Sequence, residues 1–332
     1  MEFSASAPCK AILFGEHYVV YGSPALSLAI EPRNAVKFSD GAKGVNLKSA
    51  LGEGRISGGG RYIGQREISL YAEVARAVLG VGKMPDCTAE FLPAWKLKGV
   101  GTSASLSAAF AAGLYRLKGE NADAEMIFAA AQAGDLVAHG GRASGIDAKT
   151  VSHGTALVFQ RSFSPLAFNS SEAVFALPDG TALLLIDTNV GKKDGTDRML
   201  EIFASQFGIR VPPHEAKEEQ RQKISKEYAP LWEKIESAMK GTDAETLGSL
   251  MDENHLLLKK RKMSSNGIEK AVSSAIAAGA YGAKMTGGGG EGGAALALFD
   301  RGSIGAAAGK ITGKTGFACH IISLAKKGAC VD

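Results

Sequence analysis

The chain has 332 residues, of which 45% are hydrophobic and 22% are charged, and this composition excludes an intrinsically disordered protein. At about 150 residues per domain, the length predicts two domains, each with a sizeable core. The 38 basic and 34 acidic residues leave a formal charge of +4, which is too small to indicate a nucleic-acid-binding protein.

The predicted secondary structure mixes helices and strands without strict alternation, which favours an α+β fold. In chain order, apolar runs, helical periodicity and caps predict a strand at 11–14, a helix from Thr102, a helix over 124–139, a strand at 183–186, a solvated helix within 214–240, a helix after 242, a helix over 268–278 and a strand at 294–299. We expect Pro230 to break the solvated helix. We expect Thr242-Asp243-Ala244-Glu245 to form a capping box.

Cysteine spacing and hydropathy favour a cytoplasmic protein. The four cysteines are far apart and form no CxxC pair, so we expect reduced thiols and no disulfide framework. The first ten residues lack the basic-then-apolar layout of a signal peptide. The longest uncharged run, residues 99–115, is too short to span a membrane. We therefore expect a cytoplasmic protein that binds neither nucleic acid nor a membrane.

Two glycine-rich segments imitate nucleotide-binding motifs. Residues 308–315 nearly match the P-loop pattern, but they begin with Ala308 and end a helix instead of joining a strand to a helix. Gly288, Gly290 and Gly293 fit G-x-G-x-x-G, but a strand follows them, and no helix is there to receive a pyrophosphate. This second pattern is the sole support for a nicotinamide-dependent enzyme, an alternative that a dinucleotide-binding assay would test.

Two other glycine segments are compatible with a bound phosphate. Residues 99–105, Gly-Val-Gly-Thr-Ser-Ala-Ser, lead directly into a helix, whose free amides and dipole favour an anion. A Ser/Thr helix cap explains the same residues, so both interpretations stay open on this segment alone. Residues 284–293 can form a concavity of glycine amides that binds an anion, or a flexible hairpin.

Three motifs resemble those of the GHMP kinases, the small-molecule kinases of galactose, homoserine, mevalonate and phosphomevalonate. Residues 7–22, APCKAILFGEHYVVYG, resemble the first motif in its mevalonate kinase form. Residues 99–104, GVGTSA, resemble the GLGSSA phosphate loop, and residues 283–290, AKMTGGGG, resemble the third motif, KxTGAGGGG. Residues 144–147 and 250–255 resemble two further family elements. The motifs follow the family's order over nearly the whole chain.

This resemblance implies a two-domain GHMP kinase fold, with an amino-terminal domain similar to the second domain of ribosomal protein S5 and a ferredoxin-like carboxy-terminal domain. We expect the first, ATP-binding domain to span residues 1–190 and the second to span residues 191–332. The implied reaction is ATP- and Mg²⁺-dependent phosphorylation of the 5-hydroxyl of mevalonate, a step of isoprenoid biosynthesis. A homodimer is compatible with the sequence.

The resemblance also implies roles for individual residues. Asp147 matches the catalytic aspartate that accepts the substrate proton, and Lys10 matches the lysine beside it. Ser103 and Asp135 match the Mg²⁺ ligands, although Asp135 replaces a glutamate. The residues expected to bind ATP are Lys98, Gly99, Val100, Gly101, Thr102, Ser103, Ala104 and Ser105. The residues expected to bind the acceptor are Glu16, His17, Ser144, Asp147, Thr188, Lys192, Gly288 and Gly289.

The sequence departs from the mevalonate kinase pattern around the acceptor. Ala143 and Ala148 replace a proline and an asparagine, and Lys192-Lys193-Asp194 replaces Arg-Ser-Thr. Lys98, just ahead of the phosphate loop, resembles phosphomevalonate kinases, so phosphomevalonate is an alternative acceptor. A non-catalytic sensor with the same fold is a second alternative, but the retained catalytic and metal-ligand residues argue against it.

Overall fold

A computed structural model describes residues 2–82, 84–95, 97, 99–188 and 195–332. The first half of the chain forms, in order, β1 (Glu2–Phe14), β2 (Ala25–Asp40), β3 (Val45–Ser49), β4 (Gly52–Ile56), β5 (Tyr62–Gly64), α1 (Leu70–Leu79), β6 (Cys87–Leu92), α2 (Thr102–Lys118), α3 (Ala124–Ala138), α4 (Ile146–His153), β7 (Ala156–Phe163) and β8 (Leu166–Glu172). Two short 3₁₀ helices, Tyr18–Tyr21 and Arg66–Ile68, complete it.

In the part of the chain that the structure describes, the second half begins with a strand and continues with four helices. It forms β9 (Thr181–Asp187), α5 (Thr196–Ser205), α6 (Glu218–Ala238), α7 (Ala244–Lys260), α8 (Asn266–Ala277), β10 (Gly282–Thr286), β11 (Ala294–Asp300), α9 (Ile304–Thr315), β12 (Ala318–Ile322) and β13 (Cys330–Val331). Helices and strands are thus mixed, as predicted. Among the helices of the described ranges, none has the length and apolar character that a membrane span requires.

Within the described ranges, the first sheet has nine strands, with the order β13-β1-β2-β6-β3-β4-β5, and β7 and β8 join it beside β2. The long strand β2 makes this possible, because its first residues pair with β7 and its last residues pair with β6. Helices α1–α4 pack on the sheet through a shared apolar core. Gly113 of α2 permits the closest approach, since a Cβ there would lie 2.1 Å from the ring of Phe38.

The second sheet has four antiparallel strands in the order β10-β11-β9-β12. Helices α5–α7 follow β9, and apart from them the order β9-α8-β10-β11-α9-β12 is the β-α-β-β-α-β arrangement of a ferredoxin-like domain. Alternate residues of each strand point to opposite faces. One face, including Ile186 and Phe299, packs on α8 and α9, whereas the other, including Leu185 and Leu298, joins the core of the first half.

Two strands cross between the halves of the chain. β9 precedes residue 190 but pairs within the second sheet, and β13 follows the second sheet but pairs with β1 of the first. One apolar core therefore contains Phe14 of β1, Leu185 of β9 and Leu250 of α7. The predicted division at residue 190 stays a prediction, and Val190 lies outside the described residues.

The predicted elements are confirmed with two local corrections. Pro230 does not break its helix, because α6 runs through it and buries Tyr228 and Leu231 on the central core, which outweighs the lost backbone hydrogen bond. The cap of α7 is Asp243, whose carboxylate accepts from the amide of Thr246 at 2.6 Å, and not Thr242. Residues 308–315 lie within α9, which confirms that they form no phosphate-binding loop.

Candidate active site

A cavity of about 310 Å³ lies where the first sheet, α2, α3, α4 and the glycine segment after β10 meet. It collects predicted residues that are far apart in the sequence. Those that line it are Lys10, Glu16, His17, Gly99, Gly101, Thr102, Ser103, Asp135, Ser144, Asp147 and Gly288. The motifs that resemble one family in sequence therefore share one cavity in space.

Lys10 and Asp147 form an ion pair in this cavity, with 3.0 Å between Nζ and Oδ1. β1 positions Lys10, whose amide donates to the carbonyl of Val100 at 2.9 Å. Asp147 lies in the first turn of α4, where the helix dipole stabilises a negative charge. The lysine side chain is 3% exposed and the aspartate 22%, so the carboxylate is the member of the pair that faces the cavity.

The start of α2 presents backbone amides to the cavity. Gly101 is its N-cap with φ +70°, and the first amide bonded within the helix is that of Ser105, which donates to the carbonyl of Gly101 at 2.9 Å. The amides of residues 102–104 therefore have no acceptor within the helix and can bind an anion. A Cβ at position 101 would lie 2.8 Å from Cγ of Lys10, so glycine also makes room for the ion pair.

Three of the predicted ATP-binding residues that the structure describes do not line the cavity. Val100 and Ala104 are buried, and Ser105 donates its hydroxyl to the carbonyl of Ala7 at 2.9 Å. Their side chains therefore support the loop and do not face the cavity. Lys98 lies outside the described residues.

Ser103, Asp135 and His139 form a polar group at the edge of the cavity. Oγ of Ser103 donates to Oδ1 of Asp135 at 3.5 Å, and Nε2 of His139 lies 3.4 Å from the same oxygen. Burial disfavours the charged imidazole, but the hydrogen bond to Asp135 and the charges of Asp135, Asp147 and Asp197 outweigh it and raise the pKa of His139 to about 9. The imidazolium therefore compensates the buried Asp135 carboxylate at neutral pH.

The donors at this edge suit a cation that is bound mainly by its substrate. In the described part of the chain, no three His, Cys, Asp or Glu residues converge on one point. Ser103 and Asp135 offer two hard oxygen donors beside the free amides of α2. Mg²⁺ takes one or two protein carboxylates and completes its shell with phosphate and water, so these residues fit it.

Glu16 is engaged on both carboxylate oxygens. Oε1 accepts from the ammonium of Lys284, and Oε2 accepts from the amide of Asn254 at 3.2 Å. Lys284 also donates to the carbonyls of Ile12 at 3.4 Å and Met285 at 2.6 Å. Burial lowers the pKa of Lys284, whereas Glu16 opposes that shift. In the sequence, Lys284 belongs to the third motif, AKMTGGGG, and the motif alone predicts no role for it.

His17 adopts a backbone conformation that is uncommon outside glycine. Its φ is +64°, and the amide of Tyr18 donates across it to the carbonyl of Glu16 at 2.7 Å, which makes a γ-turn. The imidazole is buried and stacks on Phe203 of α5 with 5.5 Å between ring centroids. The turn directs His17 into the lining of the cavity.

Two predicted acceptor-binding residues in the described part of the chain do not line the cavity. The hydroxyl of Thr188 donates to the carbonyl of Gly293 at 2.8 Å and so ties the end of β9 to the glycine segment. Gly289 packs against Met263, where a Cβ would lie 2.2 Å from the carbonyl oxygen. Lys192 lies outside the described residues.

Several lining residues carried no predicted role. Arg142 lies in the turn after α3, and its guanidinium donates to Glu201 of α5 at 2.6 Å. Thr196 and Leu200, on the same helix, also line the cavity. Neither a motif nor a periodic pattern distinguishes these residues in the sequence, because Thr196 and Leu200 reach the cavity only through the packing of α5, and Arg142 only through the turn that follows α3.

Comparison with known proteins places these features in a family context. A family model described as GHMP kinases C terminal matches residues 235–319. The chain is 31% identical over 314 residues to a mevalonate kinase of Aeropyrum pernix, with 90% of this chain and 89% of that protein covered. It is also 31% identical over 308 residues to a mevalonate kinase of Pyrococcus horikoshii, with coverage of 87% and 86%.

A solved structure has the same fold at lower identity. The crystal structure of L. major mevalonate kinase in complex with R-mevalonate superposes with a TM-score of 0.77 and 20% identity, and covers 98% of this chain and 97% of that one. This similarity confirms the predicted two-domain α+β fold. At this identity it says nothing of the acceptor.

Proposed function

The chain belongs to the mevalonate kinase family of the GHMP kinases, and from that premise we propose that this enzyme transfers the γ-phosphoryl group of ATP to the 5-hydroxyl of mevalonate. The observation that carries the proposal is the Lys10–Asp147 ion pair, which faces the same cavity as the free amides of α2. The ion pair can accept the proton of an alcohol, and the amides can bind the phosphates of a nucleotide.

ATP binds with its phosphates at the start of α2. The amides of residues 102–104 donate to the phosphate oxygens, and the positive end of the helix dipole attracts their charge. Gly99 and Gly101 let the backbone approach these oxygens closely. Ser103 and Asp135 would hold Mg²⁺, which when bound neutralises charge on the phosphate oxygens. His139 lies 3.4 Å from the Asp135 oxygen that also accepts from Ser103, so it helps to orient this carboxylate.

The acceptor hydroxyl is placed beside Asp147. The Asp147 carboxylate accepts the hydroxyl proton while the oxygen bonds to the γ-phosphorus and the bond to the ADP oxygen breaks. The Lys10 ammonium, held 3.0 Å from Asp147, stabilises the carboxylate before transfer and the negative charge on the phosphoryl oxygens during it. His17, Ser144 and Gly288 line the side of the cavity where the rest of the acceptor binds.

Charge in the cavity favours mevalonate over phosphomevalonate. Among the described lining residues the cationic side chains are Lys10, His139 and Arg142, and each has a carboxylate within 3.4 Å. A phosphorylated acceptor would add a second phosphate, with about two negative charges, to a site whose described cations are already paired. An acceptor whose reacting end is uncharged avoids this cost.

The proposal is tested by ADP release with Mg²⁺ and ATP, using either mevalonate or 5-phosphomevalonate as acceptor, with the product identified by phosphorus NMR. We expect a preference for mevalonate and a 5-phosphate product. Preference for phosphomevalonate would overturn the acceptor but keep the ATP site. If neither acceptor releases ADP, the protein is a kinase of another alcohol or a sensor.

The base is tested by Asp147→Asn, with the exposed Asp179→Asn as the matched control. Removing a general base lowers the rate by about 10²–10⁴-fold, so we expect that loss in kcat with nucleotide affinity retained. Asp179 is solvent-exposed, and its variant should match the wild type. Near-normal turnover of Asp147→Asn would exclude Asp147 as the base.

A further inference from the structure

The conformation of His17 must be held by its surroundings. Among the described residues other than glycine, His17 and Lys262 are the ones with positive φ. Such a conformation costs on the order of 1–3 kcal/mol and persists only where neighbouring contacts fix it. Lys262 is an exposed residue at a helix end, whereas His17 is buried at the cavity.

Tyr18, the next residue, is anchored to the second half of the chain. Its hydroxyl donates to Oε2 of Glu227 in α6 at 3.2 Å. Glu227 is fixed in turn by Arg261, whose guanidinium makes a two-nitrogen contact with the carboxylate. Burial raises the pKa of Tyr18 well above its ordinary value, so the hydroxyl stays protonated and remains the donor.

The residue before His17 is anchored as well. Glu16 is held by Lys284 and Asn254, both from the second half of the chain. The two anchors therefore flank a single strained residue. Rotating His17 out of the γ-turn would require Tyr18 or Glu16 to leave its partner.

We propose that Tyr18, through its hydrogen bond to Glu227, is a positioning residue that holds the His17 imidazole in the acceptor cavity and thereby sets the affinity for the acceptor. The inference rests on the proposed function, because it needs His17 to contact the acceptor. Tyr18 itself touches no reacting atom. Its ring packs between Phe203 and Tyr228, with centroid distances of 5.0 and 4.9 Å.

The chain offers a matched control for removing this hydroxyl. Tyr228 stacks on Tyr18, is fully buried, and has a hydroxyl with no hydrogen-bond partner among the described residues. Tyr18→Phe and Tyr228→Phe therefore delete the same atom from two stacked rings. One deletion removes the anchor of the strained turn, whereas the other removes a buried group that costs stability.

The experiment measures the mevalonate and ATP KM values, kcat and thermal midpoint of both variants, together with mevalonate affinity by calorimetry without ATP. For Tyr18→Phe we expect the mevalonate KM and Kd to rise about tenfold, with the ATP KM unchanged. Tyr228→Phe should keep the wild-type KM values and melt at the same or a higher temperature. A lower melting temperature of Tyr18→Phe without a change in mevalonate affinity would overturn the inference.

Glu227 provides the second arm of the test. Glu227→Gln keeps an oxygen acceptor for Tyr18, so it should restore most of the acceptor affinity that Glu227→Ala loses. If the two residues act through one hydrogen bond, Tyr18→Phe with Glu227→Ala should raise the mevalonate KM no further than the larger single change. A double variant whose increase in mevalonate KM is the product of the two single increases would show that Tyr18 and Glu227 act independently. Failure of the wild type to bind mevalonate would instead reject the proposed function.

Discussion

Lys10 and Lys284 show how two buried lysines of one protein take different tasks. Both ammonium groups lie about 3 Å or less from a carboxylate, but the partner of Lys10 is 22% exposed to the cavity and the partner of Lys284 is 1% exposed. In an ion pair that reaches a cavity, the exposed carboxylate can contact a bound substrate as well as its lysine. The Lys284–Glu16 pair lies in the wall of the cavity but is almost completely buried, so its main task is to hold the structure together.

Lys284→Met tests this distinction through stability. The change leaves the Glu16 carboxylate buried with its hydrogen bond from Asn254 but without its cation, and we expect a loss of about 3–5 kcal/mol in the free energy of unfolding by urea. Adding Glu16→Gln removes the uncompensated charge and should recover most of that loss. A loss below about 1 kcal/mol in the single variant would contradict the assignment.

At the residue level, what could be predicted depends on where the partners lie in the sequence. Motifs identified Lys10 and Asp147, and the structure brings them together. The contact of Lys284 with Glu16 was not predicted, because the two residues are 268 positions apart and no local pattern links them. Thr188 was placed near the acceptor, but the fold uses its hydroxyl to fasten the glycine segment.

Among the elements, the start of α2 depends on two separate properties of Gly101. Its positive φ costs other residues about 1–2 kcal/mol, and its missing Cβ leaves space for Lys10. Gly119, just past the end of the same helix, has a similar φ of +78° but no atom near the position of a Cβ. Comparing Gly101 with Gly119 therefore separates the cost of backbone strain from the cost of a steric contact with Lys10.

Gly101→Ala and Gly119→Ala should therefore lose similar stability but differ in activity. Both pay the strain of the left-handed backbone, about 1–2 kcal/mol in urea unfolding. Only Gly101→Ala displaces Lys10, so its kcat should fall at least tenfold while that of Gly119→Ala stays near wild type. Equal kcat values in the two variants would show that the loop has room for the extra carbon.

The contacts of α5 with the end of α3 create a pH dependence. His139 lies 3.4 Å from Asp135 and 3.8 Å from Asp197 of α5, and its pKa is raised to about 9 from an ordinary value of 6.5. A raised pKa means that the folded protein binds the proton more tightly than the unfolded chain. The stabilisation is complete below pH 6.5 and is lost as the pH rises through 9.

His139→Gln measures this contribution in the metal-free protein. We expect the wild type to be more stable than the variant at pH 6, by at most about 3 kcal/mol, and the difference to shrink towards pH 9.5. Urea unfolding at pH 6, 7.5 and 9.5 gives the three values. A difference that stays constant over this range would mean that His139 does not gain its charge on folding.

The elements themselves were largely predictable, because long apolar or periodic segments depend on local sequence. Helix α2 begins at Thr102 as expected, and β11 follows the glycine segment. The errors arose where tertiary contacts decide. Pro230 is tolerated because one face of α6 is buried, and α5 reaches the cavity because its apolar face, including Leu200 and Phe203, packs in the shared core.

At the scale of the molecule, the two sheets share one apolar core. Phe14 of the first sheet and Leu298 of the second belong to it, and Trp95 and Trp232 pack against it from opposite halves of the sequence. Trp95 also contacts His320 of β12, with ring centroids 4.9 Å apart. Because the core is shared, the halves should unfold together.

Two single-tryptophan variants test this cooperativity. Trp232→Phe leaves Trp95 as the reporter, and Trp95→Phe leaves Trp232. For each variant, unfolding is followed by fluorescence and by circular dichroism. We expect the two curves of the same variant to have the same midpoint and slope. A fluorescence transition separated from the circular dichroism transition in either variant would show that the halves unfold independently.

The pairing of β13 with β1 has a consequence for the order in which the chain is made. Val331 and Cys330 leave the ribosome 326 and 324 residues after their partners Ala5 and Ser6. At ~5–20 residues per second, synthesis of the residues between the two strands takes roughly 15–65 s, and during that time β13 does not cover the outer edge of β1. An uncovered edge is a template for another chain. Slow translation should therefore lengthen the period in which two nascent chains can pair.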